Sequence, residues 1–246
     1  MEETSESGTM IDHLILIEDF LRYGARSGRV AASATAFPAA AAAGAPPADR
    51  QAALDAIEAR VRTCAACSLS QTRAHTVFGQ GVSAPELLVI GEGPGAEEDR
   101  QGLPFVGASG KLLDKMLAAI GLSRETNCYI GNIVKCRPPN NREPAPTERS
   151  ACIGYLREQI DILRPRYILC VGRTAAHGLL DLTDPISRLR GGSFEFQGIP
   201  VRVTFHPSAL LRDSSLKRPA WEDLKQLRAL MDSPRPDGAS LSRGEG

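Results

Sequence analysis

The sequence predicts an α/β fold with a central, mostly parallel four-stranded sheet covered by helices on both faces. Two observations carry that expectation. Four short apolar runs (86–90, 128–134, 166–171 and 201–205) alternate with helical patterns over 110–120, 147–163 and 174–180. Strands separated by helices pair in parallel through right-handed crossovers. Each run also ends in residues that break or polarise the chain: Gly91-Glu92-Gly93-Pro94-Gly95, Asn132, Gly172-Arg173 and His206-Pro207-Ser208. Ligands in such sheets bind at the carboxyl edge of the strands, so these four ends are expected to share one rim and one composite site.

Within that frame the elements follow in order. Residues 10–24 place apolar side chains at helical spacing and predict a short amphipathic helix. An Ala, Gly, Ser and Pro stretch then reads as a flexible linker. The expected organisation is an N-terminal helical extension (1–25), a disordered linker (26–48), the globular domain (49–232) and a disordered tail (233–246). The helix on its linker reads either as a docking element for a protein partner or as a fraying extension. Asp49 is the expected N-cap of a helix that delivers Cys64, and Gly121 the expected C-cap of the helix over 110–120. Gly198-Ile199-Pro200 marks a turn that sets residues 193–196 against the last strand as a hairpin, and 219–230 closes the domain as a helix.

Composition narrows the function classes. The 246 residues balance 29 Lys+Arg against 29 Asp+Glu, so no global charge draws the chain to a polyanion. The first 50 residues hold 4 Arg and 7 acids, which leaves 25 against 22, or +3, for the remainder. No apolar run approaches the ~20 residues of a spanning helix, and the start is acidic where a secretory signal is basic. A cytoplasmic, non-membrane protein acting as a monomer is expected. In that setting six cysteines favour a metal or cluster over disulfides.

Residues 91–99 (GEGPGAEED) formally contain the dinucleotide fingerprint G-x-G-x-x-A. Glu97, Glu98 and Asp99 oppose a pyrophosphate there, and Pro94 removes an amide donor. The run reads better as a tight loop whose glycines, Gly93 and Gly95 among them, bring backbone close to a flat ligand, with the Glu92 carboxylate at its edge. Phe105, in GLPFVG, is placed to stack on a base or to pack in the core. Asn132 puts a polar amide at the end of an apolar strand. Cys64 and Cys67 form a C-x-x-C pair, joined later by Cys136 and Cys152. Four thiols suit tetrahedral zinc or a four-iron cluster, and the fifteen residues between the last two lean toward the cluster. Cys128 and Cys170 lie within apolar strands and read as core. In HPSALLR, His206 is placed to donate to developing negative charge. Ser208 shares that loop. Leu210 and Leu211 read as an exposed wedge for a base stack, with Arg212, Lys217 and Arg218 meeting phosphates.

Taken together, CAAC, GEGPGAEED, GLPFVG, NIVKCRPPNNREP with Cys152 after it, and HPSALLR followed by LKRPAWEDLK resemble the family 4, iron-sulfur uracil-DNA glycosylases over roughly residues 64–227. The resemblance implies a three-layer αβα sandwich that flips uracil out of DNA and hydrolyses its N-glycosidic bond, with a [4Fe-4S] cluster on Cys64, Cys67, Cys136 and Cys152 as cofactor and uracil-containing DNA as partner. It further implies that Phe105 stacks on the base, that Asn132 reads its O4 and N3 edge, and that Glu98 crowds C5 against thymine. His206 would bond O2 of the leaving base and Glu92 would orient water or stabilise the sugar cation. The cluster would brace Lys135, Arg137 and Arg142 against DNA. A related branch traps DNA through a histidine in a Lys-Arg-Arg-Ile-His insertion; the loop over 138–144 has no histidine, so trapping is not expected. Two other readings compete: a non-catalytic DNA-binding or polymerase-associated member of the superfamily, and an iron-sulfur redox protein. Neither needs Glu92, Asn132 and His206 together.

Overall fold

The computed structural model describes residues 47–233. The expected helix over 10–24, nearly all of the linker and the tail lie outside the described residues. Helix α1 (Pro47–Arg62) starts two residues before the expected boundary. Proline's fixed φ suits a first helical turn, so Asp49 lies inside that turn, near the positive helix end, and is not the cap.

Four parallel strands form the centre as expected: β2 (Leu87–Gly91), β3 (Cys128–Asn132), β4 (Tyr167–Val171) and β6 (Ile199–Thr204). The sheet is nevertheless six-stranded, in the order β1-β3-β2-β4-β6-β5. Two short antiparallel strands cover its edges, β1 (Gln80–Gly81) against β3 and β5 (Phe194–Phe196) against β6. The hairpin to β5 is expected, but its turn is at residues 197 and 198, and Ile199 and Pro200 already belong to β6. A two-residue Gln-Gly strand has no periodicity and leaves no trace in the sequence.

Side chains of β2, β3 and β4 are buried throughout, as in a sheet covered on both faces. Alternation along β2 divides the core. Leu88 and Ile90 join Leu54, Ile57, Leu156 and Ile160, from α1 and α4 (Pro146–Leu163). Leu87 and Val89 join Leu113, Leu117, Leu224 and Leu227, from α3 (Ala108–Ala118) and α8 (Lys217–Asp232). These are the three layers. The remaining helices are α2 (Ala96–Gln101), α5 (Arg173–Leu180), α6 (Ile186–Leu189) and α7 (Pro207–Arg212). Helix α3 ends at Ala118 with Ala119 as its C-cap, two residues before the expected cap Gly121, which instead takes a left-handed φ of 74° in the turn beyond, where Leu122 N–H reaches back to Leu117 O at 3.0 Å. Among the described residues no helix is long and apolar enough to cross a membrane.

Candidate active site

Parallel register pairs Gly91 of β2 with Asn132 of β3 at the carboxyl edge of the sheet. The Asn132 side chain is 1% exposed, and its Oδ1 has no hydrogen-bond partner among the described residues. A Cβ on Gly91 would stand 2.4 Å from that oxygen and 2.6 Å from the Phe105 ring, so only glycine lets ring and amide meet there. Phe105 itself has a left-handed φ of 53°, a conformation that costs a bulky residue on the order of 1–3 kcal/mol and persists only where its surroundings enforce it. Part of that enforcement comes from Glu98, on the first turn of α2. Its carboxylate accepts from the N–H groups of Val106 and Gly107, both at 2.9 Å, and from Gly95 N–H at 3.2 Å. Gly93 and Gly95 are required by the chain's own packing, since Cβ atoms there would press on Val134 and on the Glu98 carboxylate.

His206 follows β6 and caps α7. Its Nδ1 accepts from Ser208 N–H at 3.1 Å and contacts Ser208 Oγ at 2.8 Å. A backbone N–H can only donate, so Nδ1 is unprotonated and the neutral ring carries its hydrogen on Nε2. Burial pushes the imidazole down to about 4, with Arg212 adding and Glu98 opposing. Its ring centroid lies 5.7 Å from that of Phe105. Ser208, expected as a DNA contact, has both polar groups turned to His206. The strand leading to His206 is anchored where Thr204 Oγ1 donates to Asp223 Oδ2 at 2.7 Å, a carboxylate also forked by Arg190.

Glu92 is half-buried, and burial raises its carboxyl above the usual range, with nearby Glu143 adding to the rise. A hydrogen bond from Thr174 and the charges of Arg173 and Arg149 pull the other way. Glu143 in turn accepts from Arg173 Nη2 at 2.8 Å and from Thr174 Oγ1 at 3.2 Å. Glu143 and Thr174 were not expected from sequence. Their only trace was position, one inside NNREP and the other at the start of a helix behind a strand end.

The four expected cysteines line one cavity with Arg73, Lys135 and Tyr155. Arg73 Nη1 lies 3.2 Å from Cys136 Sγ, and Lys135 N–H donates to Cys152 Sγ at 3.3 Å. Burial pushes the Cys152 thiol up to about 11 and raises Cys136, against the pull of Arg73. Four sulfurs on one cavity, two of them already met by N–H donors, fit a thiolate-bound group. Among the described residues no set of His, Cys, Asp and Glu closes on a point suited to a single ion. Cys128 and Cys170 are buried in opposite core layers, as expected.

Two expectations about DNA contacts are corrected. Lys135 is fully buried, its Nζ donating to Asn132 O at 3.0 Å and Gln159 Oε1 at 2.6 Å, and burial brings it down to about 8. Arg142 forks onto Glu148 with two bonds of 2.7 Å, which, with the Ala145 and Ser68 donors, hold that carboxyl at about 2. Lys135 therefore cannot meet DNA, whereas Arg142, although paired with Glu148, keeps an exposed side chain. Leu210 is also no wedge: it is 3% exposed in the core, while Leu211 is 51% exposed. Arg212, Lys217 and Arg218 are exposed as well.

Comparison with known proteins agrees with this arrangement. The Uracil DNA glycosylase superfamily matches residues 78–225. A type-4 uracil-DNA glycosylase of Archaeoglobus fulgidus is 42% identical over 191 residues, covering 74% of this chain and 96% of that protein. Its namesake from Thermotoga maritima is 41% identical over 186 residues, again 74% and 96%. That of Sulfurisphaera tokodaii is 40% identical over 191 residues, 74% and 86%. With the Gly91, Phe105, Asn132 and His206 rim and the four-cysteine cavity on one domain, the chain belongs to the type-4 uracil-DNA glycosylases.

Proposed function

We propose that the chain removes uracil from DNA by hydrolysing the N-glycosidic bond, releasing the base and leaving an abasic site, the first step of base-excision repair. The observation that carries this reading is the buried, unpartnered Oδ1 of Asn132 beside the Phe105 ring. A buried acceptor without a donor costs free energy until a ligand supplies one. Uracil offers N3–H to that oxygen and O4 to the amide nitrogen, whereas cytosine presents the reversed pair and leaves both unmatched. The bond is inaccessible inside the stack, so the nucleotide must be flipped out. Phe105 then stacks on the base, and Glu98, pinned by three amides, walls off a methyl at C5.

As the bond breaks, negative charge gathers on the base. A neutral His206 with its hydrogen on Nε2 donates to O2. Glu92, held beside Thr174, orients water or stabilises the positive sugar. Leu211 fills the gap in the stack while Arg212, Lys217 and Arg218 meet phosphates. Cys64, Cys67, Cys136 and Cys152 would hold a [4Fe-4S] cluster, whose contribution is structural, since this hydrolysis moves no electrons.

A single-uracil oligonucleotide treated with the protein and then alkali is expected to break at the uracil; an intact strand overturns the reading. Asn132→Ala is expected to slow single-turnover cleavage by about 100-fold or more with no loss of thermal stability, since it removes an unpartnered buried acceptor. Glu92→Ala with near-normal single-turnover cleavage would remove Glu92 from the mechanism.

A further inference from the structure

The geometry points to Arg124 as a positioning residue for this reaction: its guanidinium holds the Phe105 loop in the backbone conformation that sets the ring against Gly91 and Asn132. The inference rests on the reading that Phe105 stacks on the flipped base. Arg124 lies in the turn before β3 and is buried. Nη1 donates to Pro104 O at 2.9 Å and Nη2 to Phe105 O at 2.9 Å. Two consecutive carbonyls are thus taken by one cation, while the next two N–H groups, of Val106 and Gly107, are taken by the Glu98 carboxylate.

Phe105 sits where a positive fork and a negative fork meet on successive peptides. The fork itself is held in plane. Asp114 Oδ1 accepts from Nε at 3.0 Å and from Nη2 at 2.7 Å, and Gln80 Oε1 accepts from Nη1 at 3.0 Å. Gly110 closes the third side, because a Cβ there would fall 1.9 Å from Phe105 O. A left-handed aromatic does not hold that shape unaided, and Glu98 alone fixes only the residues after it. Five donors in a rigid plane can serve two carbonyls and a carboxylate together, whereas the ammonium of lysine cannot match that fork.

The test combines single-turnover cleavage of a uracil oligonucleotide with amide hydrogen exchange over 102–110, for Arg124→Gln, Phe105→Ala and the double variant. Arg124→Gln is expected to lower the rate by about tenfold or more alone but by less than about twofold once Phe105 is Ala, since residues acting through one another are not additive. It is also expected to speed exchange at Val106 and Gly107 while β2 and β3 keep their protection. Equal losses in both backgrounds, or loop amides as protected as in the parent, would overturn the assignment. Should Phe105→Ala by itself leave cleavage intact, the stacking reading falls, and exchange at Val106 and Gly107 alone decides the clamp. If Arg124→Gln fails to fold, Arg124→Lys takes its place in the same cycle, and parental rate and exchange with lysine would overturn it.

Discussion

At His206 a single ring joins burial, a hydrogen bond and the proposed role of donor to the leaving base. Its imidazole is lowered to about 4 from an ordinary value near 6.5. The unfolded chain therefore binds the proton first. The stability from this site is complete above about pH 6.5 and is lost as pH falls toward about 4, at most ~3 kcal/mol. Glu148, held at about 2, contributes stability that is lost only at lower pH, as the medium falls from the ordinary carboxylate range toward 2, so the two windows separate. Urea unfolding at pH 7.0 and 4.5 should show a smaller acid loss for His206→Gln than for the parent, together with cleavage slowed about 100-fold. An unchanged acid loss would mean that another group titrates in that window. The candidate residues that the structure brings to one rim or one cavity were legible because they stand at strand ends or recur as cysteines. Arg124 and Glu143 were not. Arg124 acts on carbonyls 19 and 20 residues upstream, and an arginine in a polar turn carries no local pattern.

At the scale of the element, α7 shows where pattern reading stops. HPSALLR reads as presenting two exposed leucines, but Pro207–Arg212 is helical, and successive helical residues point about 100° apart. Only one leucine can face the core. Leu210→Ala should cost about 2–5 kcal/mol in denaturant unfolding, as for a buried leucine, with cleavage per folded molecule retained. Leu211→Ala should change stability by less than about 0.5 kcal/mol yet slow cleavage of duplex more than of single-stranded substrate, because only duplex needs its stack held open. If both variants behave alike, the wedge assignment fails. The parallel strands and main helices were legible from long apolar alternation, which supplied four strands. Of the edge strands, β5 was legible only through the hairpin turn and β1 not at all, since two or three residues are too few for a period.

For the whole molecule, the sheet brings the rim of Asn132, Phe105 and His206 and the cysteine cavity onto one domain. Asn132 and Cys136 lie four residues apart on the same segment, with Lys135 bonded back to Asn132 O. Cys136→Ala is expected to lose a broad visible band near ~400 nm and to unfold at lower temperature, while Asn132→Ala keeps both. Identical behaviour of the two variants would overturn that division of labour. The cysteines also run from residue 64 to residue 152, bracketing β1, β2 and β3. A group bound by all four would act as a clasp on a long stretch of unfolded chain. By the entropy of closing a loop of that length it would disfavour the denatured ensemble by about 4–5 kcal/mol. A repair enzyme built this way draws part of its folding free energy from states it does not occupy while at work.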